Sequence, residues 1–434
     1  MSDKYDAIII GAGILGAPIG FELAKKGWKT LNVDTLPAAG YGSTSNSCAH
    51  IRLHYSTYDG AAIAYEGYHY WKDWENYLGV EDERGLAKFV DSGCVLFKSE
   101  LNNYLKPLCE NFDKMGIKWE DWDAETLGKK IAILDPHSFW PVRRPDDPGF
   151  GEPSSELIAG AIFYKDGGYI NDPQLSTHNV QRAAEAKGAG FRFNSKVVEI
   201  RRDGDRVVGV TLENGDAIDA PVVVNVAGPH SYIVNRMAGV EKGMNIKTRA
   251  LKHEVCHVPA PEGFDFGKHG SITNDSDIGC YYRPVSRDHM LIGSVDPECD
   301  EHEWVDPDDY DKNFTEQWTV QVMRLAQRMP GLKIPNQAKG VVDLYDVSDD
   351  WIPIYDKSDL GGFYMAVGTS GNQYKNGPVV GAMMAELIER CEQGLDHDAE
   401  PLQFTMKYTG LTINAGFYSR LREINPDSSF SVVG

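Results

Sequence analysis

The sequence is short of positive charge. Its 434 residues hold 43 Lys+Arg against 64 Asp+Glu, a formal net charge of −21. Nucleic-acid phosphates and anionic membranes are bound through basic faces, so this deficit argues against both partners. Cysteine is sparse too. Cys48, Cys94, Cys109, Cys256, Cys280, Cys299 and Cys391 are odd in number, widely spaced and without a CxxC. That usage excludes a zinc ribbon or disulfide framework, predicts no metal site and fits reduced thiols. No long hydrophobic run occurs. The most apolar stretch, Ala7 to Phe21, is too short to span a bilayer and is broken by Gly11, Gly13, Gly16 and Gly20. The opening MSDKYDAIIIGAG lacks a basic region ahead of a long apolar run, so it is not read as a signal peptide. The expectation is a soluble, cytoplasmic protein. With 42% hydrophobic and 25% charged residues it is ordinary globular material. At about 100–200 residues per domain, two or three domains are expected.

What is present begins at once. Ala7-Ile8-Ile9-Ile10 suits a strand buried on both faces, as in a parallel sheet. It runs into Gly11-Ala12-Gly13-Ile14-Leu15-Gly16, a GxGxxG, followed by helical spacing at Leu15, Ile19 and Leu23 and a helix end at Lys25-Lys26-Gly27. Thr30–Val33 reads as a second strand, closed by Asp34. Strand, glycine turn, helix, strand and acid together are the dinucleotide-binding context. Gly11 makes the tight turn, Gly13 admits a pyrophosphate, Gly16 lets helix and sheet pack, and Asp34 can accept from ribose hydroxyls. The motif alone leaves FAD and NAD both open.

Further along, Asp59 can cap a helix to about Leu78, and Asp172-Pro173 reads as N-cap and first helical residue. Phe191–Phe193, Val197–Ile200, Val207–Leu212 and Val222–Val226 read as strands, with a hairpin turn at Asn214-Gly215. Residues 240–325 show short alternating segments that suggest an antiparallel sheet. Phe363–Val367 returns to a buried strand, before a Gly-rich turn and a helix from Pro378 to Cys391.

This combination resembles the FAD-dependent amine oxidoreductases of the D-amino acid oxidase superfamily, nearest to the sarcosine oxidase, glycine oxidase and dimethylglycine dehydrogenase branch. The resemblance rests on YDAIIIGAGILG…NVD, on Gly40–Ser47 followed by His50-Ile51-Arg52, and on Gly168–Pro173. It rests also on Asn225–Ser231, on Asp349–Ile354 and on Gly368–Pro378. It implies an α/β (α+β) fold: a Rossmann-type FAD-binding domain with a parallel sheet, from residues 1–90, 150–235 and 335–395, and a smaller substrate domain with a mainly antiparallel sheet, from 91–149 and 236–334. Residues 396–434 are left as a C-terminal extension. FAD is the implied cofactor. Its implied contacts are Gly11, Gly13, Ile14, Leu15, Gly16, Asp34 and Thr35; Gly42, Ser43, Thr44, Ser45, Asn46 and Ser47; Val197 and Val198; Ala227 and Gly228; and Gly368, Ser370, Gly371, Asn372, Gln373, Tyr374 and Lys375.

Arg52 and Lys375 fall where the family holds a substrate carboxylate, which implies a small amino acid or N-methylated amino acid as substrate. A guanidinium grips a carboxylate bidentately. His50 and His54 flank Arg52 and would orient the amine or polarise the flavin. His50 and Cys48 are also tether points for covalent flavin, the alternative being a free cofactor. Tyr55, Tyr282 and Tyr345 are candidates to line the pocket. Two departures stand out. Gly340–Tyr345 contains no cysteine, which rules out the sarcosine oxidase linkage there, and Leu291 stands where that enzyme has its oxygen-activating lysine. The electron acceptor is therefore left between O2 and a quinone, flavoprotein or ferredoxin, and a homo-oligomer or partner subunit stays open. Two alternatives remain: a 2-hydroxy-acid dehydrogenase of the same fold, with His50 or His54 as base, or a non-catalytic flavin-binding assembly factor.

Overall fold

The computed structural model describes residues 4–286 and 288–433. Ala7–Ile10 is a strand with all four residues buried. Its side chains alternate between two apolar clusters. Ala7 and Ile9 join the one that holds the helices Gly16–Lys25 and Gly377–Glu392. Ile8 and Ile10 join the other, with Val207, Val210 and Leu212 of a three-stranded antiparallel sheet. A strand covered on both faces needs no polar alternation, which is why the run is continuously apolar.

Around this strand a six-stranded sheet runs in the order Ile354–Lys357, Phe363–Val367, Val222–Asn225, Ala7–Ile10, Thr30–Val33 and Gly190–Arg192. All neighbours pair parallel except the first two. The helix Pro173–Glu185 packs beside Gly16–Lys25, with Asp172 capping it by accepting from Leu175 N and Pro173 in its first turn.

The second large sheet has eight strands, in the order Gly340–Ser348, Thr248–Pro259, His289–Ser294, Cys280–Ser286, Ile272–Asp275, Cys94–Phe97, Ala161–Tyr164 and Glu120–Trp122. Only Ile272–Asp275 with Cys94–Phe97 is parallel. The helix Glu316–Arg328 covers one face, placing Trp318, Val322 and Leu325 in a cluster with Tyr282, Met290 and Ile292. Two arginines of that helix are fully buried and paired: Arg324 with Asp300 at 2.7 Å, and Arg328 with Asp275 at 2.8 Å and Asp277 at 2.7 Å.

The sheet membership of two strands and the cap and length of one helix differ from the sequence reading, which left the C-terminal extension unplaced. Ala161–Tyr164 and Gly340–Ser348, assigned to the dinucleotide-binding part, are strands of the eight-stranded sheet, because their ladders pair with Cys94–Phe97 and Thr248–Pro259. The helix expected from Asp59 to Leu78 is capped by Thr57, which accepts from Gly60 N, and breaks at Asp73 into Tyr58–Lys72 and Trp74–Leu78. Asp73 leaves helical geometry at φ −104°, ψ 28° and accepts from Asn76 and from the Tyr408 hydroxyl. Residues 396–433 pack on the chain itself. A hairpin, Gln403–Thr405 with Thr412–Asn414, precedes Arg420, which pairs with Asp356 at 3.0 Å and Asp398 at 2.8 Å. Among the described residues no helix is long and apolar enough to cross a membrane.

Candidate active site

One cavity of about 780 Å³ runs from the glycine turn to the start of the helix Gly377–Glu392. At one end the turn after Ala7–Ile10 is forced tight. Gly11 has φ +119°, and a Cβ there would lie 2.3 Å from the Val226 carbonyl oxygen, so only glycine fits. Asp34 borders the same end. Its Oδ2 accepts from Ala12 N at 2.8 Å and its Oδ1 from Leu36 N at 2.9 Å. Burial pushes its carboxyl upward from the usual carboxylate range against the pull of these bonds. Thr44 Oγ1 accepts from Ile14 N at 3.1 Å and so ties the turn at 42–47 to the glycine turn. Ser43 and Asn46 tie it to Gly340–Ser348 through Leu344 O and Asp343 Oδ2.

The cavity brings together most of the predicted cofactor contacts. Gly11, Gly13, Ile14, Leu15, Gly16, Asp34 and Thr35 line it, as do Gly42, Ser43, Thr44, Asn46, Ser47, Val197, Ala227, Gly228 and 371–375. Ser45, Val198, Gly368 and Ser370 are not among its lining residues. Val198 is solvent-exposed on its strand. The Ser45 hydroxyl donates back to Gly42 O. Gly368 and Ser370 shape the turn instead: Gly368 N donates to Asp346 Oδ2 at 2.6 Å and Ser370 N to Asp346 O at 2.7 Å. Burial raises the Asp346 carboxyl to about 7 against the donors that reach it, Gly368 N and the Ser231 hydroxyl. A continuous cavity that opens on a side-chain-free glycine turn and a ribose-type acid fits a dinucleotide.

At the other end Arg52 and Lys375 come together, 6% and 2% exposed. Both lie over the ring of Tyr55, each 4.8 Å from its centroid. The Tyr55 hydroxyl, which burial raises to about 12, donates to Asn372 O at 2.6 Å. Lys375 Nζ donates to the same carbonyl at 2.5 Å. Arg52 donates from Nη1 to His54 O and from Nη2 to Val432 O, the latter at 2.7 Å. Among the described residues neither cation is within ion-pair distance of a carboxylate. Burial, then the Arg52 charge, hold the Lys375 ammonium well below its ordinary range.

His50 and His54 line the same end, and burial lowers both well below the imidazole range. For His50 the charges of Arg283, Arg52 and Lys375 add to the effect, and for His54 those of Arg52 and Lys375. Both are therefore neutral at pH 7. His54 Nδ1 meets the Tyr164 hydroxyl at 2.6 Å, and His50 sits edge-on to Tyr281 at 5.3 Å. Cys48 is at the cavity wall, 3.6 Å from the Tyr281 hydroxyl, and burial pushes its thiol up. Tyr345 lines the cavity, with its ring filling the space a Gly371 side chain would need. Tyr282 belongs to the core beneath the eight-stranded sheet. Leu291 faces Arg283 across its strand pair, outside the cavity lining.

Sequence reading missed Tyr281, Arg283, Val432 and Val433. Tyr281 alternates with core residues on an antiparallel strand, and nothing local marks it. Arg283 is buried over the Tyr169 ring at 4.1 Å and donates to Cys48 O at 2.9 Å. Val432 and Val433 arrive from a segment without periodicity.

The family described as FAD dependent oxidoreductase (DAO) matches residues 6–387. Glycine oxidase of Geobacillus kaustophilus is 22% identical over 91% of this chain and 96% of its own length. Sarcosine oxidase subunit beta of Rhodobacter capsulatus is 24% identical over 89% of this chain and 85% of its own length. Among solved structures, L-proline dehydrogenase from P. horikoshii superimposes with a TM-score of 0.75 at 20% identity, covering 97% of this chain and 98% of that one. With the dinucleotide cavity in place and the family match spanning most of the sequence, the chain belongs to the DAO family of FAD-dependent oxidoreductases, and FAD is its cofactor.

Proposed function

We propose that the protein oxidises the C–N bond of a small amino acid or N-methylated amino acid. One observation carries this reading: two buried cations, Arg52 and Lys375, share one end of the FAD cavity without a carboxylate partner among the described residues. An uncompensated buried charge is costly; the depressed Lys375 ammonium and the Tyr55 ring relieve part of that cost, and an anionic ligand group would relieve the rest. A substrate carboxylate does so, and the desolvated setting strengthens the contact. The two relatives are named for glycine and sarcosine oxidation, which fits the same chemistry.

Bound FAD supplies the two-electron acceptor. The chain's own residues do the rest. Arg52 and Lys375 fix the carboxylate, which leaves the α-carbon and nitrogen few orientations, and orientation is a large part of such a rate. His50 and His54, held neutral, can accept a proton from the substrate ammonium, so that the amine reacts unprotonated. Water then hydrolyses the resulting C=N bond to an amine and an aldehyde or keto acid.

The test is a screen of the purified flavoprotein against sarcosine, dimethylglycine, glycine, proline and D-amino acids, with O2 and with an artificial dye as acceptor. Turnover of at least one amine carboxylate, with none of its decarboxylated analogue, is expected. A second reading rests on the same neutral histidines, which could take a hydroxyl proton. Turnover of 2-hydroxy acids and of no amine would decide for it.

A further inference from the structure

Residues 428–433 do not simply trail over the surface. Their foot is fastened where Ser428 Oγ donates to Asp350 O at 2.6 Å, beside the Arg422–Asp350 ion pair at 2.7 Å. Their far end enters the FAD cavity. Val432 N donates to Asp296 Oδ2 at 3.1 Å, and Val432 O accepts from Arg52 Nη2 at 2.7 Å. A segment lying in water would leave both groups to solvent; here two side chains hold them. The Val432 side chain, 7% exposed, packs with Leu251, Tyr281, Val295 and Trp351. Val432 and Val433 both line the cavity that holds Arg52.

Two consequences follow for the guanidinium. Of its five N–H donors, one goes to His54 O and one to Val432 O, which fixes its plane and leaves the remainder for a ligand. The wall beside it is then made of valine side chains, with no charge to meet a polar substituent. We propose that residues 428–433 form a wall of the substrate chamber and that Val432 and Val433 are specificity-determining, admitting amine carboxylates with small apolar substituents and refusing bulky ones. The proposal rests on the amine-carboxylate reading above. A surface tail would not require its backbone to meet Arg52 and Asp296 at once.

The experiment uses the FAD-loaded full chain, a chain ending at Ser428, and the variants Val433→Gly and Val433→Trp. Acetate, benzoate and 2-naphthoate are titrated while the flavin absorption is followed, so that no turnover is needed. The wall predicts that the affinity of 2-naphthoate relative to acetate rises about tenfold in the shortened chain and in Val433→Gly, and falls in Val433→Trp. If the ratio is the same in all four proteins, the wall is overturned while the carboxylate site stands. If no carboxylate perturbs the flavin of the full chain or the shortened one, the carboxylate reading is overturned and the wall with it. Should the shortened chain fail to hold flavin, the two Val433 variants decide by the same ratio.

Discussion

Arg52 and Lys375 are like charges against one aromatic ring. The Tyr55 ring attracts both, which offsets part of their repulsion and of their desolvation. Removing Arg52 should therefore cost ligand affinity without unfolding the site. Arg52→Ala is expected to weaken carboxylate binding roughly ten- to hundredfold, the range of one hydrogen bond to a charged group, as read by titration of the flavin spectrum. Unchanged affinity would remove Arg52 from the site. Lys375 adds a pH dependence. Its ammonium titrates well below the ordinary lysine range in the empty site, and a bound anion raises it again. Carboxylate affinity should then weaken as pH rises through the depressed value, and Lys375→Met should bind more weakly with that dependence gone. Asp346 gives an independent signal. Its carboxyl is raised to about 7 from 3.8, so the folded state holds a proton that the unfolded state releases. The stabilisation is fully present below about pH 3.8 and is lost as pH rises through 7. Asp346→Asn should abolish this loss in denaturant titrations at pH 5 and pH 8, and an unchanged pH slope would count against the raised carboxyl.

The glycine turn after Ala7–Ile10 is the element most open to a single-atom test. Gly11→Ala adds a methyl group 2.3 Å from a carbonyl oxygen at φ +119°. Strain of this kind costs on the order of 1–3 kcal/mol. The variant should melt several degrees lower and be purified with less flavin per chain; full flavin content at an unchanged melting temperature would refute the tight turn. This element was also the most legible in the sequence, because strand, turn and helix each have a local signature and stand next to one another. The Asp172-Pro173 cap was readable for the same reason. Ala161–Tyr164 and Gly340–Ser348 were not, since which of two sheets an apolar strand joins depends on partners far away in sequence. The break at Asp73 was hidden because its cause includes Tyr408, hundreds of positions on. At the site, Arg52 and Lys375 could be found beside glycine-rich motifs. Tyr281 and Val432 could not, since they reach the chamber only through tertiary packing, and Arg283, behind the lining, meets Cys48 O by the same route.

The net charge of −21 is spread over a protein whose proposed amino-acid substrates are zwitterions of no net charge near pH 7, but whose simplest carboxylate ligand, acetate, is an anion. Its long-range field repels that ligand, so capture depends on the two local cations. The Debye length is about 10 Å at 0.1 M salt, and added salt screens distant acids more than the buried pair. The affinity for acetate, read on the flavin spectrum, should accordingly rise between low salt and about 0.2 M, while a net-neutral amino acid such as glycine should bind with no such dependence. A steady fall with salt would overturn this picture. The assembly of the cavity has a consequence of another kind. Its lining is drawn from the glycine turn near residue 11, from Ala227-Gly228 and from 371–375, and the sheet beneath it pairs Ala7–Ile10 with Val222–Asn225 and that strand with Phe363–Val367. Closing loops of such length comes late and slowly in folding. A ligand that touches all three segments holds them shut, with a linkage of about 2.7 kcal/mol at a hundredfold excess over its Kd. FAD should thus raise the melting temperature of flavin-free protein and slow its unfolding, so that the redox group also serves as the clasp that keeps distant parts of the chain together.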